Sequence, residues 1–492
     1  MEKDILSFRR RTKIVATLGP ASDDPKVIEE LINAGADVLR FNFSHVAPEK
    51  QKSNVEQIRA ISLKLGRHIG IMGDLQGPKI RIESFKQGSV NLEQGQVFML
   101  DTKLGSSDGD ETNVGVAYSN LINDVIPGDT LLLDDGQIVL EVSEIKSSRI
   151  ICKVAEGGLL TDHKGLNKKG GGLSAPALTD KDKKDIIEAA KLDMDFISVS
   201  FARNAADIIE ARQLLSEAGG QGHIVAKIER AEAVDNINEI IDSSDVIMVA
   251  RGDLAVEVGY AAMTGLQKAL IRRTRVRNKV SITATQMLES MITSSSPTRA
   301  EVSDVANAVM DGTDAVMLSA ETAIGNFPAQ AVETMSELCI GAERHETFRR
   351  PRNNRLEDDF SYIDEAIALA AMYTANHLQV SAIIAFTESG STTQWMSRAR
   401  SDIPIYAFTR HEATRRRVAI YRGVYPASFD IVRAESGKIY QSAIQELEEA
   451  GVLCAGDLVL FTLGEMAGVS GGTNTLRILE VGSGTILDTE RD

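Results

Sequence analysis

The chain contains few cysteines, and this scarcity restricts the classes of protein to which it can belong. Three cysteines occur in 492 residues, at Cys152, Cys339 and Cys454. Their odd number and wide spacing argue against a disulfide framework and against a cysteine-rich zinc site. Such a pattern fits a reducing compartment, so we expect a cytoplasmic protein.

Basic residues and long apolar runs are also scarce. Lys and Arg number 54 against 70 Asp and Glu, a net charge of −16, which disfavours non-specific nucleic-acid binding but leaves room for a local anion site. No apolar run approaches the ~20 residues that a membrane helix needs. The N-terminal residues lead through the basic run 9–13 into a strand-like segment without an apolar secretory region. We expect neither a nucleic-acid nor a membrane partner.

Short apolar runs alternate with amphipathic segments through much of the chain. The strand-like runs are 13–19, 37–43, 68–74, 196–201, 224–229, 246–251, 280–285 and 315–319. Helix-start signals lie between them, including Asp24-Pro25 and capping boxes at Thr179/Asp182 and Thr298/Glu301. Eight strand–helix units predict an α/β fold with a closed (β/α)₈ TIM barrel, and an open doubly wound sheet is the alternative.

Two segments depart from this alternation. Residues 79–175 are rich in turn signals and short alternating runs, which predicts an inserted small β-barrel domain. The polar stretch 349–359 reads as a linker, and an α/β pattern follows it. The predicted domains are therefore the barrel (1–78 and 176–348), the inserted β domain (79–175) and a C-terminal α/β domain (349–492).

The predicted carboxyl ends of the barrel strands, where barrel active sites lie, are unusually polar. They carry Arg40, Asn42, Ser44, His45, Asp74, Lys79, Arg81, Lys227, Glu229, Gly252, Asp253 and Thr285. Glu229 and Asp253, on adjacent strands without a nearby histidine or cysteine, favour Mg²⁺ or Mn²⁺ over zinc. Arg40 and Arg81 suit a phosphorylated, acidic substrate. Each residue alone could be a surface ion-pair partner or a helix cap, but together they indicate a site.

Several longer segments resemble one family. They are 40–45 (RFNFSH), 224–229 (IVAKIE), 248–253 (MVARGD), 283–291 (TATQMLESM), 297–301 (PTRAE), 303–308 (SDVANA) and 317–322 (MLSAET). In this order, over nearly the whole chain, they closely resemble the pyruvate kinases. The resemblance implies phosphoryl transfer from phosphoenolpyruvate to ADP, the final step of glycolysis, by a homotetramer.

The resemblance also implies roles for individual residues. Glu229 and Asp253 would bind Mg²⁺ or Mn²⁺, and Lys227 would stabilise the transferring phosphoryl group and the enolate. Arg40 would contact the phosphoryl group. Thr285 would help to protonate the enolate, with the backbone at Gly252 and Asp253 facing the substrate carboxylate. Asn42, His45 and Arg81 would lie towards the nucleotide.

Two further sites follow from the same resemblance. The monovalent-cation region would comprise Asn42, Ser44, Asp74, Leu75 and Lys79. Many family members that need K⁺ have threonine and glutamate where this chain has Leu75 and Lys79, so the sequence resembles the K⁺-independent branch. A sugar-phosphate or nucleotide effector would bind the hydroxyl-rich turn at Thr387, Ser389, Gly390, Ser391 and Thr392, although an ordinary capped loop is the alternative.

Other interpretations remain open at this point. A Mg²⁺-dependent barrel aldolase or lyase would also place a glutamate and an aspartate at strand ends, but it would not need the inserted domain. A non-catalytic metabolite sensor could keep the fold, but the intact set of polar residues argues against it. Residues 415–417 (RRR) could form a nucleic-acid patch, although a helix-end or interface role fits the surrounding segment better.

Overall fold

The centre of the fold is a closed barrel of eight parallel strands. The computed structural model describes residues 10–44, 48–344, 360–399, 401–433, 438–464 and 471–482. The barrel strands are β1 (Lys13–Thr17), β2 (Val38–Asn42), β3 (Gly70–Asp74), β12 (Phe196–Val199), β13 (His223–Ile228), β14 (Val246–Ala250), β15 (Val280–Ala284) and β16 (Ala315–Leu318). Their order around the barrel is β1-β16-β15-β14-β13-β12-β3-β2. The predicted TIM barrel is confirmed, and the open doubly wound sheet is wrong.

Helices separate the barrel strands. They are Pro25–Ala34, Pro48–Leu65, Asp180–Lys191, Ala205–Glu217, Ala231–Asp235, Ile237–Ser243, Arg251–Val258, Tyr260–Val276, Arg299–Asp311, Ala320–Ala323 and Pro328–Glu343. Both predicted capping boxes are present, at Thr179 and Thr298, and the Asp24 side chain accepts from the Lys26 amide. The start signals worked because each satisfies backbone N–H groups that a helix leaves unpaired.

The inserted segment forms a separate β domain after β3. Its strands are β4 (Ser89–Leu92), β5 (Val97–Asp101), β6 (Asn113–Gly115), β7 (Thr130–Leu133), β8 (Ile138–Lys146), β9 (Arg149–Glu156), β10 (Gly158–Thr161) and β11 (Leu166–Lys168), with one short helix, Leu121–Asp124. Six of them form a sheet in the order β11-β7-β8-β9-β5-β6. Single bridges join Arg81 to Gly165 and Ile82 to Val116, so this short segment connects the two edges of the sheet.

The C-terminal domain is a second α/β unit. Its sheet has the order β19-β18-β17-β20-β21, built from β17 (Ala382–Phe386), β18 (Ile405–Thr409), β19 (Val424–Ser428), β20 (Leu458–Gly464) and β21 (Thr473–Glu480). Its helices are Ile363–Leu378, Ser391–Ser397, Glu412–Val418 and Ile439–Glu449. The predicted linker 349–359 lies outside the described residues, and the domain bounds stay predictions.

The C-terminal domain packs against the amino-terminal end of the barrel, opposite the predicted active site. Apolar side chains from both units share one core, in which Phe196 and Val246 join Ile420 and Tyr421. Arg416, one of the three consecutive arginines, places its Nε 2.8 Å from Asp195 Oδ1 of the barrel. This contact supports an interface role for that arginine. Within the described part of the chain, no helix is long and apolar enough to span a membrane.

Candidate active site

Lys227 and Glu229 occupy one face of β13 and its end, as the two-residue spacing predicts. Lys227 Nζ lies 2.9 Å from Glu229 Oε1 and donates to Ser200 Oγ at 2.8 Å. It also lies 3.5 Å from Asp74, the last residue of β3. The side chains of Lys227 and Glu229 are 12% and 3% exposed, so this ion pair is largely shielded from water.

The charges around Lys227 determine its protonation. Burial alone would lower the pKa of Lys227, but the neighbouring carboxylates of Asp74 and Glu229 outweigh burial and raise it. Burial raises the pKa of Glu229, with Asp253 adding to the shift and Lys227 opposing it. The site therefore keeps a charged lysine, and it holds a buried carboxylate that a further cation would stabilise.

Arg40 is anchored beside this pair. Its Nε donates to Asp74 Oδ2 at 2.9 Å, and its Nη1 donates to Thr17 Oγ1 at 2.9 Å. Burial alone would raise the pKa of Asp74, but Arg40 and Lys227 outweigh that effect and lower it. Asp74, at the end of β3, thus contacts one cation from β2 and one from β13, and the side chains of both cations are largely buried.

Asp253 lies at the start of the helix Arg251–Val258, which follows β14 without an intervening loop. The prediction that Arg251 and Asp253 end a strand is therefore corrected to a helix start. Asp253 Oδ1 lies 2.9 Å from Lys79 Nζ. Because β13 pairs with β14, Glu229 and Asp253 come from adjacent strand ends, as expected.

The donor set fits a hard divalent ion. Both candidate ligands are carboxylates, and Mg²⁺ typically binds one or two protein carboxylates and completes its shell with water and substrate oxygens. Among the described residues, no group of three or more His, Cys, Asp or Glu side chains could hold a metal by itself. Glu229 and Asp253 would therefore hold an ion together with a substrate.

Thr285 directly follows β15, and its hydroxyl is held from two sides. Thr285 Oγ1 accepts from the Gly252 amide at 2.8 Å and donates to the Ala284 carbonyl at 2.6 Å. The backbone of Thr285 is left-handed, with φ of 68°, which is unusual for a β-branched residue. Gly252 and Thr285 thus form one unit between the ends of β14 and β15.

The predicted monovalent-cation region lies around the end of β3. Asn42 pairs in register with Asp74, and its side-chain oxygen accepts from the Ser44 amide at 3.0 Å. Leu75 is 2% exposed, and its carbonyl accepts from Ser200 Oγ. Among the described hydrogen bonds and ion pairs, Lys79 contacts Asp253 and none of these residues.

The predicted nucleotide residues are dispersed. Arg81 lies at the base of the inserted domain, where its Nη1 donates to the His163 carbonyl at 2.9 Å. It is exposed, so a ligand can reach it. Asn42 lies at the end of β2, and His45 lies outside the described residues.

The hydroxyl-rich turn of the C-terminal domain lines an open pocket. The predicted residues Thr387, Ser389, Ser391 and Thr392 line it, together with Arg410 and three phenylalanines. Gly390 has φ of 91°, and its amide donates a hydrogen bond to Thr387 Oγ1. It therefore determines the conformation of the turn. Gly464 and Gly471 also line the pocket, and residues 465–470 between them lie outside the described residues.

Two hydroxyl residues of the site were missed by the sequence interpretation. Ser200 follows β12 and contacts Lys227, and Thr17 ends β1 and contacts Arg40. Both lie at the carboxyl ends of barrel strands, β1 and β12, so their position is the signal that could identify them as site residues. Their serine and threonine side chains carry no charge, so they did not stand out.

The fold and the site together define a (β/α)₈-barrel enzyme with an inserted β domain and a C-terminal α/β domain. The description "Pyruvate kinase, barrel domain" matches residues 9–332, and "Pyruvate kinase, alpha/beta domain" matches residues 365–479. The chain therefore belongs to the pyruvate kinase family and is a phosphotransferase.

Curated bacterial proteins are similar over nearly the full chain. Pyruvate kinase II of Salmonella typhimurium is 52% identical over 96% of this chain and 99% of its own length. Pyruvate kinase of Buchnera aphidicola subsp. Schizaphis graminum is 51% identical over 97% of this chain and 100% of its own. Pyruvate kinase of Haemophilus influenzae is 49% identical, covering 96% and 99%. The family predicted from the sequence is confirmed.

Proposed function

We propose that this enzyme transfers the phosphoryl group of phosphoenolpyruvate to ADP, with Mg²⁺ or Mn²⁺ bound by Glu229 and Asp253. One observation carries the proposal: the largely buried Lys227 lies 2.9 Å from Glu229, beside the anchored Arg40. A divalent ion would supply electrostatic stabilisation of substrate oxygens. Phosphoryl transfer relies largely on such positioning and charge stabilisation.

Each residue of the site has its own role in the proposed reaction. A β-phosphate oxygen of ADP forms the new P–O bond while the enol C–O–P bridge breaks at phosphorus, leaving the enolate of pyruvate. Lys227 and Arg40 stabilise charge on the phosphoryl group, and Lys227 also stabilises the enolate. Thr285 relays a proton to the methylene carbon, which gives pyruvate. The backbone at Gly252 and Asp253 faces the substrate carboxylate, while Asn42, His45 and Arg81 contact the nucleotide.

The substrate-level test is pyruvate formation from phosphoenolpyruvate, measured with and without ADP and with Mg²⁺ removed by chelation. We expect pyruvate only when ADP and Mg²⁺ are both present. Pyruvate formation independent of ADP would mean that phosphoenolpyruvate is hydrolysed, and would contradict phosphoryl transfer to ADP. Absence of pyruvate under all these conditions would favour the lyase interpretation. Binding without turnover, even with candidate activators, would favour the sensor.

Lys79 is proposed to replace the charge of K⁺, so that K⁺ is not required. Its ammonium group lies beside Asp253, where it can offset negative charge at the metal site. We expect Lys79→Glu to lower kcat about tenfold or more in K⁺-free buffer, since a lost cation next to a carboxylate is costly. Added K⁺ should restore much of the lost activity.

The matched control for this prediction is Lys79→Gln, which removes the ammonium without adding a carboxylate. It should be slow in K⁺-free buffer and respond less to K⁺ than Lys79→Glu. The role of Lys79 is refuted if the wild-type enzyme needs K⁺, or if both variants turn over at the wild-type rate without it.

The pocket in the C-terminal domain is proposed to bind an activating sugar phosphate or nucleotide. Hydroxyls of Thr387, Ser389, Ser391 and Thr392 line the pocket beside Arg410, a set suited to a phosphate group. Replacing Thr387, Ser389 and Ser391 together with alanine should abolish activation while leaving unstimulated turnover intact. The test is to measure activation of the wild type and the variant by a panel of phosphorylated metabolites. Equal activation curves would show that no effector binds at this turn.

The remaining proposals concern the enzyme as a whole. On the basis of the family membership we propose a cytoplasmic homotetramer that acts in the final step of glycolysis. The three cysteines are free, which agrees with a reducing compartment. The inserted domain is proposed to close over the barrel mouth and exclude water, which would protect the phosphoryl group from hydrolysis. Its base adjoins the site, because Asn167 Nδ2 donates to Glu257 at the end of the helix that carries Asp253.

A further inference from the structure

The backbone at the end of β15 adopts an uncommon conformation in two consecutive residues. Thr285 and Gln286 both have positive φ, 68° and 54°. Side chains with a Cβ disfavour this region, and β-branched threonine does so most strongly. Such conformations persist only where the surrounding structure holds them, so the contacts of Thr285 indicate what holds it.

Arg251 bonds the backbone on both sides of the Thr285 Cα. Its Nη2 donates to the Thr285 carbonyl at 2.6 Å, and its Nε donates to the Ala284 carbonyl at 3.2 Å. Its side chain is 11% exposed. Because the guanidinium group is planar and rigid, two bonds to consecutive carbonyls fix the relative orientation of the peptide groups before and after Thr285.

Arg251 is itself anchored from the far side. Its Nη1 donates to Asp304 Oδ2 at 2.6 Å, on the helix Arg299–Asp311, and approaches Gln267 Oε1 at 3.4 Å. The next residue, Gly252, gives its amide to the Thr285 hydroxyl. One short segment therefore holds both the backbone and the hydroxyl of Thr285.

We propose that Arg251, anchored by Asp304, is a positioning residue that holds Thr285 in the left-handed conformation from which its hydroxyl relays the proton to the enolate. Arg251 acts through Thr285 and does not touch the transferring phosphoryl group. Its loss should therefore impair proton transfer at the methyl carbon more than phosphoryl transfer. This inference rests on the proposed function of the barrel mouth.

The two half-reactions can be measured separately. A single turnover with rapid quenching gives the rate of ATP formation from phosphoenolpyruvate and ADP. By microscopic reversibility, the group that protonates the enolate also removes a proton from pyruvate. Exchange of the pyruvate methyl protons in D₂O with Mg²⁺ and ATP, followed by NMR, therefore reports the proton step.

We expect Arg251→Leu to slow methyl exchange by about 100-fold, the scale of a positioned acid–base group, while ATP formation falls at least tenfold less. Asp304→Asn keeps a hydrogen-bond acceptor and the bulk of the side chain. It should also slow methyl exchange more than ATP formation, but by a smaller factor than Arg251→Leu. If Arg251→Leu does not fold, the Asp304→Asn variant alone tests the inference. Arg212→Leu is the matched control, because Arg212 likewise bonds a carbonyl and a carboxylate, those of Ser243 and Asp245, at the opposite end of the barrel.

The outcomes separate this inference from the proposed function. Selective loss of exchange in the Arg251 or Asp304 variant, with Arg212→Leu unchanged, supports the positioning role. Equal loss of both rates, or no loss, overturns it and leaves Arg251 structural. Absence of ATP formation by the wild-type enzyme would instead overturn the proposed function, and the inference with it.

Discussion

Lys227→Met is expected to lower kcat for ATP formation by about 10³-fold, the size of effect seen when a preorganised donor to a developing charge is removed. Lys227 is the one charged donor in the described structure that contacts Ser200, Glu229 and Asp74 together. Methionine retains much of the side-chain length but carries no charge. Glu229 also loses its ion-pair partner and Asp74 keeps only Arg40, so the variant should be less stable as well.

The rate loss must be separated from a loss of folded protein. Steady-state kinetics and thermal unfolding of Lys227→Met should be compared with those of Lys183→Met, which removes an exposed lysine paired with Glu210 on the outer helices. The control should keep the wild-type rate. A folded Lys227→Met enzyme with a kcat within about tenfold of wild type would contradict the role assigned to this lysine.

Glu229→Gln is expected to have the second large effect, a loss of metal affinity. Glutamine preserves the shape and can still accept from the Phe201 amide, which lies 2.8 Å from Glu229 Oε2, but it removes the charge that a divalent ion needs. The Mg²⁺ concentration for half-maximal activity should rise by about 10- to 100-fold, with a lower maximal rate.

Mg²⁺ titrations of activity, with Mn²⁺ binding followed by calorimetry, measure this shift. Glu232→Gln is the matched control, because Glu232 lies three residues further on and bonds the Gly172 amide instead of facing Asp253. An unchanged Mg²⁺ requirement in Glu229→Gln would show that the ion binds elsewhere.

The sequence was sufficient to predict the barrel and the charged part of its site. The parallel strands of a barrel all end at one face. Charged residues at the strand ends therefore lie near one another at that face, independently of the loop conformations. The sequence alone therefore predicts that Lys227, Glu229 and Asp253 lie at one face of the barrel. The two-residue spacing of Lys227 and Glu229 predicted a shared face, and their 2.9 Å contact confirms it.

Other features depend on register and long-range packing, which local patterns do not encode. The contact of Arg40 with Asp74 arises because Asn42 pairs with Asp74 across β2 and β3. The left-handed backbone conformation of Thr285 cannot be predicted from a threonine at the end of a strand, because no local sequence pattern indicates it. Arg251 reaches Asp304 across 53 residues of chain, so its partner could not be read from the motif alone.

The most direct test of the central claim is a product balance with the purified full-length enzyme. Phosphoenolpyruvate, ADP and Mg²⁺ are incubated in buffer free of K⁺ and NH₄⁺, and ATP and pyruvate are quantified in the same samples over time. The account predicts that both products appear together in equal amounts. Pyruvate that accumulates with inorganic phosphate instead of ATP, or the absence of both products with and without K⁺ and phosphorylated activators, would contradict it.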